Sequence, residues 1–399
     1  MMEAGCLVTV NGGSSSIRCA VFDVKPDADI KLTLSIKVDR IGSAGNQIEV
    51  QQVDGSCAVH PIDGGSRGDA ITALIKWLMS RSFCASIKGI GHRVVHGMAH
   101  TQSQAITSQL LDELQHLTPL DPEHLPFEIE LIRAFRQSFP VVMHVACFDT
   151  AFHRNMPAIT RTLALPEPYR DFGIERYGFH GLSYSYLLEE LSLVDSNIAA
   201  NGRIIIAHLG NGASLAAIRG GACIDTSMSF TPASGIMMST RSGDIDPGIL
   251  FYLSKDKNID ADELQRALNH ESGMLGISKL SGDVRDLLAA EIDNVDASLA
   301  INMFCYQVKK CIGAYAAALN GLDTLIFSGG IGENSAVIRQ RICDGLIFIG
   351  IALDQDSNAS HAGIISAATS KVTVRVMHTD EELMIARLAL QVIAGKTRQ

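Results

Sequence analysis

Two stretches half a chain apart are written in the same grammar. VNGGSSSIRCAVFDV occupies residues 10–24 and RIIIAHLGNGASLAAIRGG residues 203–221 of a 399-residue chain. Each passes from an apolar strand through Gly, Asn and Ser into a second apolar strand. A tight hairpin needs only two turn residues. The longer run of small residues therefore reads as a loop built to approach something closely. Backbone N–H groups freed by Gly and Ser converge on one concavity, a geometry that binds phosphate. The plain alternative is a flexible turn, since the Walker phosphate-loop pattern is absent. Repetition of the unit predicts a duplicated α/β domain with one phosphate loop in each half.

The rest of the chain alternates in the same way. CLVTV, RCAVFDV and LTLSIKV read as strands between Gly, Asp and Ser turns. Ile71, Leu74, Ile75 and Leu78 recur at helical spacing, as do Leu110, Leu111, Leu114 and Leu117. GIGHRVVHG and VVMHVACFDTAFH are strands that run into polar loops. LIFSGGIGENSAVIRQRI reads as a buried strand, a Gly-rich turn and a helix. A long helix over 296–320 stops at Asn320-Gly321. The last helix begins within HTDEELMIARLAL, where Thr379 and Glu382 suit a capping box.

Composition excludes several classes. A net charge of −10, a pI of 5.7 and the lack of any basic run argue against nucleic acid. The opening MMEAGCLVTVNGG has no basic region of a secretion signal, and no apolar run reaches membrane-spanning length. Nine cysteines without a CxxC pair read as buried reduced thiols of a cytoplasmic protein, and no zinc site is expected.

Several residues carry chemistry, each with a structural alternative. Asn11 and Arg18 flank the first loop. Arg93 in GHRVVHG and Arg241 in MMSTRSGDIDPG suit a planar fork on carboxylate or phosphate oxygens, or an interdomain salt bridge. Asp149 follows a buried strand, where it binds Mg²⁺, orients a nucleophile or closes an Asx-turn. His180 in RYGFHG is a functional group or a packed core histidine. His208, Asn211 and Gly212 form a second candidate phosphate cradle. Glu381 in the first turn of the last helix holds Mg²⁺ or answers the helix dipole.

NGGSSSIR, HRVVHG, FDTAFH, RYGFHG, HLGNGAS, DTSMSFTP, MMSTRSGDIDPG, GGIGENS and DEELMIAR occur in this order between residues 11 and 387. Together they closely resemble the acetate kinase family. The resemblance implies two duplicated actin-like, ribonuclease-H-like α/β domains with an interdomain cleft. Residues 1–150 plus 384–399 would form the first domain. Residues 151–383 would form the second, with most of the nucleotide site. It implies a cytoplasmic homodimer that moves a phosphoryl group reversibly between ATP and a small carboxylate, with Mg²⁺ or Mn²⁺, and no nucleic-acid or membrane partner.

By the same resemblance, Arg93, Arg241, Asp149 and His180 are catalytic, and Asn11 and Glu381 hold the metal. Asn11, Arg18 and His208, Leu209, Gly210, Asn211 and Gly212 meet the phosphates. Asp283, Val284 and Arg285, with Gly330, Ile331, Gly332, Glu333 and Asn334, meet the adenosine. Arg93, Val95, Leu120, Phe179 and Pro232 receive the acyl group. Three departures stand out: Arg18 replaces the usual Lys, Asp121 stands in the place of a histidine with His124 three residues on, and small neighbours change in GFHGLSY and MMSTRSG. Acetate is the expected acceptor. Propionate is the nearest alternative, butyrate fits the motifs less well, and a nucleotide-dependent switch or assembly protein is the alternative of another class.

Overall fold

A computed structural model describes residues 5–13, 16–25, 29–39, 41 and 46–395. The chain divides into two compact units. One comprises the residues up to Ala151 and those from Asp380 onward, and the other comprises Phe152–Thr379.

The first unit is built on strands β1 (Gly5–Gly12), β2 (Ile17–Val24), β3 (Ile30–Asp39), β4 (Gln47–Gln52), β5 (Cys57–Pro61), β6 (Ile87–Val94), β7 (Gln104–Ala105) and β8 (Met143–Phe148). Their order is β5-β4-β3-β2-β1-β6-β8-β7. β1 is antiparallel to β2 and parallel to β6, and β6 is parallel to β8. Alternation along β1 sorts its side chains. Cys6, Val8 and Val10 join the helices Arg67–Met79 and Leu125–Ser138 on one face, while Leu7 joins Ala386 and Leu390 of the last helix, Glu381–Ile393, on the other. Two glycines of β6 admit that helix. A Cβ at Gly89 would lie 2.2 Å from Ile393, and one at Gly91 would lie 2.5 Å from Ile385.

The second unit carries β9 (Arg203–Leu209), β10 (Ala213–Arg219), β11 (Ala222–Thr226), β12 (Thr324–Ser328) and β13 (Thr373–Val376), in the order β11-β10-β9-β12-β13. Two antiparallel and two parallel pairings follow one another here. The run β3-β2-β1-β6-β8 of the first unit has the same pairings. The hairpins β1–β2 and β9–β10 hold equivalent places, so the duplication read from two loops is a duplication of sheets. The helix Gly181–Val194 packs Tyr184, Leu187 and Leu191 on Ile204, Ile206 and Ile218. The helix Val295–Ala318 packs against β9 and β10.

Three local readings are corrected. The GGIGEN segment is a short helix, Gly329–Asn334, and not an open turn. The last helix is capped by Asp380, whose side chain accepts from the Leu383 N–H at 2.8 Å. Thr379 is drawn off to Ser183 instead, so the Thr379–Glu382 box does not form. All nine cysteines are free, but Cys57 is exposed on β5. Among the described residues no helix is long and apolar enough to cross a membrane.

Beneath β6 and β8 lies a buried histidine pair. The His144 Nε2–H donates to the Phe139 carbonyl at 3.2 Å, which leaves its Nδ1 to accept from the His92 Nε2–H at 3.0 Å. The His92 Nδ1 has no partner among the described residues. A proton added there would be a buried donor with nothing to bind. Burial, reinforced by nearby positive charge, holds His92 well below 6.5, and burial lowers His144 too. Both folded values lie below the unfolded one. The pair's contribution to stability is therefore complete above pH 6.5 and falls as the pH drops, by up to ~1.4 kcal/mol per pH unit for each histidine. Urea unfolding across about pH 5 to 6.5 is compared between the wild type and His144→Gln, and the part of stability that rises with pH is expected to be smaller in the variant. An equal slope in both proteins would acquit the pair.

Candidate active site

In the first unit the candidate residues collect at the carboxyl ends of β1, β6 and β8, the end at which parallel strands present ligand groups. Asn11 is the penultimate residue of β1, opposite Arg18 on β2. Arg93 is the penultimate residue of β6, and Asp149 follows directly after β8. Adjacent parallel strands thus bring together side chains up to 138 residues apart. One Asp149 oxygen, Oδ2, accepts from Arg93 NH2 at 2.6 Å and from Nε at 3.2 Å. Arg93 NH1 donates to Asn11 Oδ1 at 3.2 Å. The Asp149 side chain is fully buried and that of Arg93 is 15 % exposed. Burial works against the Arg93 charge, but the Asp149 and Glu381 carboxylates more than offset it and raise its pKa.

Asn11 Nδ2 donates to Glu381 Oε2 at 3.0 Å and to Glu382 Oε1 at 3.2 Å. Burial and then Glu381 raise the pKa of Glu382. Glu382 had signalled only a helix cap in the sequence. Val95 is buried just beyond β6, and Leu120 closes a turn at 118–120. Asp121 is 4 % exposed, and its carboxylate accepts from His124 Nδ1 at 2.9 Å. Burial alone would raise its pKa, but the His124 contact holds it low. Ser14 and Ser15 of the first loop lie outside the described residues.

In the second unit, His180 sits in left-handed backbone (φ 58°) at the start of Gly181–Val194. Its Nδ1 lies 2.9 Å from Ser214 Oγ, which also meets the Tyr184 hydroxyl. The His208 ring stacks on His180 at 4.4 Å, and its Nδ1 lies 2.8 Å from Ser183 Oγ. Ser183 in turn meets Thr379. A Cβ at Gly212 would stand 3.2 Å from His180 Nε2 and 3.5 Å from Arg241 NH1, so the glycine lies beside both groups. Arg241 NH1 donates to the Pro232 carbonyl at 3.2 Å. The Asn211 carbonyl accepts from the Ser239 N–H. Phe179 is buried, and its carbonyl accepts from His153.

β9 and β12 run parallel, with Ser328 beside His208. Leu209 and Gly210 therefore lie against Gly329 and Gly330. The Glu333 carboxylate is turned to structural use: it accepts from the Gly329 N–H at 2.9 Å and from His378 Nδ1 at 2.7 Å. Asn334 Nδ2 binds the Gly330 carbonyl at 2.9 Å, and Ile331 and Gly332 complete that helix. Arg339, fully buried, donates to the Gly332 and Glu333 carbonyls and to Asn358. Nothing in its sequence neighbourhood marks it. Asp283 caps the helix Val284–Ala290 and binds Arg285, whose side chain is 89 % exposed; Val284 is buried.

The chain can be set beside known proteins at this point. A model of the acetokinase family matches residues 6–387. An acetate kinase of Methylocella silvestris is 39% identical over 398 residues, covering 97% of this chain and 98% of that protein. A propionate kinase of Citrobacter rodentium is 40% identical over 403 residues, covering 98% of each. The crystal structure of a propionate kinase from Francisella tularensis superposes with a TM-score of 0.90 at 34% identity, covering 97% of this chain and all of that one.

Proposed function

Because the chain belongs to the acetokinase family, we propose that it transfers a phosphoryl group reversibly between ATP and acetate, giving acetyl phosphate and ADP. The observation that carries this reading is the Arg93–Asp149 pair at the ends of β6 and β8, with buried Val95 two residues beyond Arg93. A charged fork next to an apolar residue suits a small carboxylate.

The acceptor is already an anion, so no strong base is required. The difficulty is bringing it to an anionic phosphate, which calls for alignment and charge neutralisation. Asp149 and Asn11 fix the plane of the Arg93 guanidinium, which binds the carboxylate. Arg241 and His180 act on the phosphoryl oxygens, with His180 held by Ser214. Asp149 orients and does not abstract a proton. His208 to Gly212, Arg18, Asp283 to Arg285 and Gly330 to Asn334 bind the nucleotide, most of it on the second unit. Asn11 Nδ2 donates to Glu381 Oε2 and Asn11 Oδ1 accepts from Arg93, so Glu381 offers an oxygen of the kind Mg²⁺ takes and Asn11 steadies that carboxylate. They would hold Mg²⁺ or Mn²⁺, and the bound ion would neutralise nucleotide phosphate oxygens. Family membership also supports a homodimer in the cytoplasm.

Acyl phosphate trapped as hydroxamate, with ATP, Mg²⁺ and a ladder of formate, acetate, propionate and butyrate, tests the reading. kcat/KM is expected to peak at acetate and to fall about 10- to 200-fold with one added methylene. The relative from Citrobacter supports propionate as the second reading, and a propionate optimum would select it. No product from any acid, with ATP still bound, would replace the kinase by a nucleotide-dependent switch.

A further inference from the structure

Resting on the kinase reading, we propose that Glu128 is a positioning residue that works as a neutral carboxylic acid, holding the Val95 backbone and sparing the Arg93 charge for an anionic substrate. Glu128 lies in the first turn of the helix Leu125–Ser138 and is 2 % exposed. Its Oε2 accepts from the Val95 N–H at 3.0 Å. Its Oε1 has no hydrogen-bond partner among the described residues. An ionised carboxylate with one hydrogen bond and no ion pair among the described residues is far more expensive to bury than the neutral acid.

The charged groups that act on Glu128 come from three other segments. Arg93 of β6 favours ionisation, while Asp121 beyond the 118–120 turn and Asp149 beyond β8 oppose it. Asp121 is itself paired with His124 and influenced by His96. Burial dominates and pushes the Glu128 carboxyl up to about 8. Arg93 already answers Asp149 and Glu381. A third ionised carboxylate would lower the positive potential on which an incoming anion depends. Glu128 in its neutral form keeps that potential high, and its ionisation marks an upper pH limit for acceptor binding.

The sign of the stability effect is the reverse of the usual carboxylate case. The folded pKa lies above the unfolded 4.5, so the contribution is full below pH 4.5 and is lost as the pH rises to about 8.

The test compares the wild-type protein with Glu128→Gln and Glu128→Leu. Infrared titration of the free protein reads the protonated-carboxyl band directly. Acyl-phosphate formation at low acetate, followed against pH, reads the consequence. In the wild type a carboxyl band absent from Glu128→Gln is expected to vanish with a midpoint near pH 8. kcat/KM for acetate is expected to fall about tenfold per pH unit above that midpoint. Glu128→Gln is expected to abolish this fall, whatever its absolute rate, and to exceed Glu128→Leu, which cannot accept from Val95. A wild-type spectrum lacking that band at neutral pH overturns the proposal, with or without turnover. Wild-type and Gln profiles that superimpose above pH 8 overturn it as well. A normal titration in a protein that makes no acyl phosphate supports the neutral acid and overturns the kinase reading instead.

Discussion

Arg241→Ala is expected to lower kcat for acyl-phosphate formation by about 100- to 1,000-fold, the loss seen when one preorganised donor to a developing anion is removed. The side chain reaches the Pro232 carbonyl and stands beside Gly212. The backbone does a separate job: the Arg241 carbonyl accepts from the Met238 N–H, and Arg241 lies against Gly273. Alanine keeps that backbone. Truncation is therefore expected to spare the fold, with the circular dichroism spectrum and urea midpoint close to wild type. Arg241→Lys keeps the charge but not the planar fork, and should recover only part of the rate. A folded Arg241→Ala protein with near-normal turnover would remove this residue from the chemistry.

Asp149→Ala is expected to act on stability as well as rate. The carboxylate is wholly buried and holds Arg93 through one oxygen. Removing it leaves a guanidinium that is 15 % exposed without its closest counter-charge, a loss of about 3–5 kcal/mol. Turnover should fall by at least about 100-fold, because Arg93 no longer has a fixed plane. A second substitution separates the two effects. Adding Arg93→Met removes the stranded charge, so the double variant should regain stability in urea while remaining inactive. If Asp149→Ala unfolds at the wild-type midpoint, the pair is not the strong buried ion pair that its geometry implies.

Particular residues show why some of this was legible beforehand. GIGHRVVHG, the hairpin loops and the alternation of apolar runs are local patterns, and they read correctly as strands that run into polar loops. Glu128 left a fainter trace. It sits three residues after Leu125 and one before Ile129, on the buried face of its helix. A carboxylate on an apolar stripe is a signal in itself, but its partner at Val95 lies 33 residues back. Thr379 shows the opposite failure. A local capping pattern was present, but Ser183, 196 residues away, competed for the same hydroxyl.

The sequence alone determined the repeated α/β architecture, the strands that end in polar loops, and the residue types able to handle anions. These follow from periodicity and from the conformational range of Gly, Asn and Ser, which act over a few residues. Tertiary structure decided which of those side chains meet. Asn11 lies 370 residues from Glu381, and the neutral state of Glu128 depends on three segments and on the exclusion of water. Desolvation and Coulomb energies are set by distance in space, so they take definite values only once the strand ends have converged.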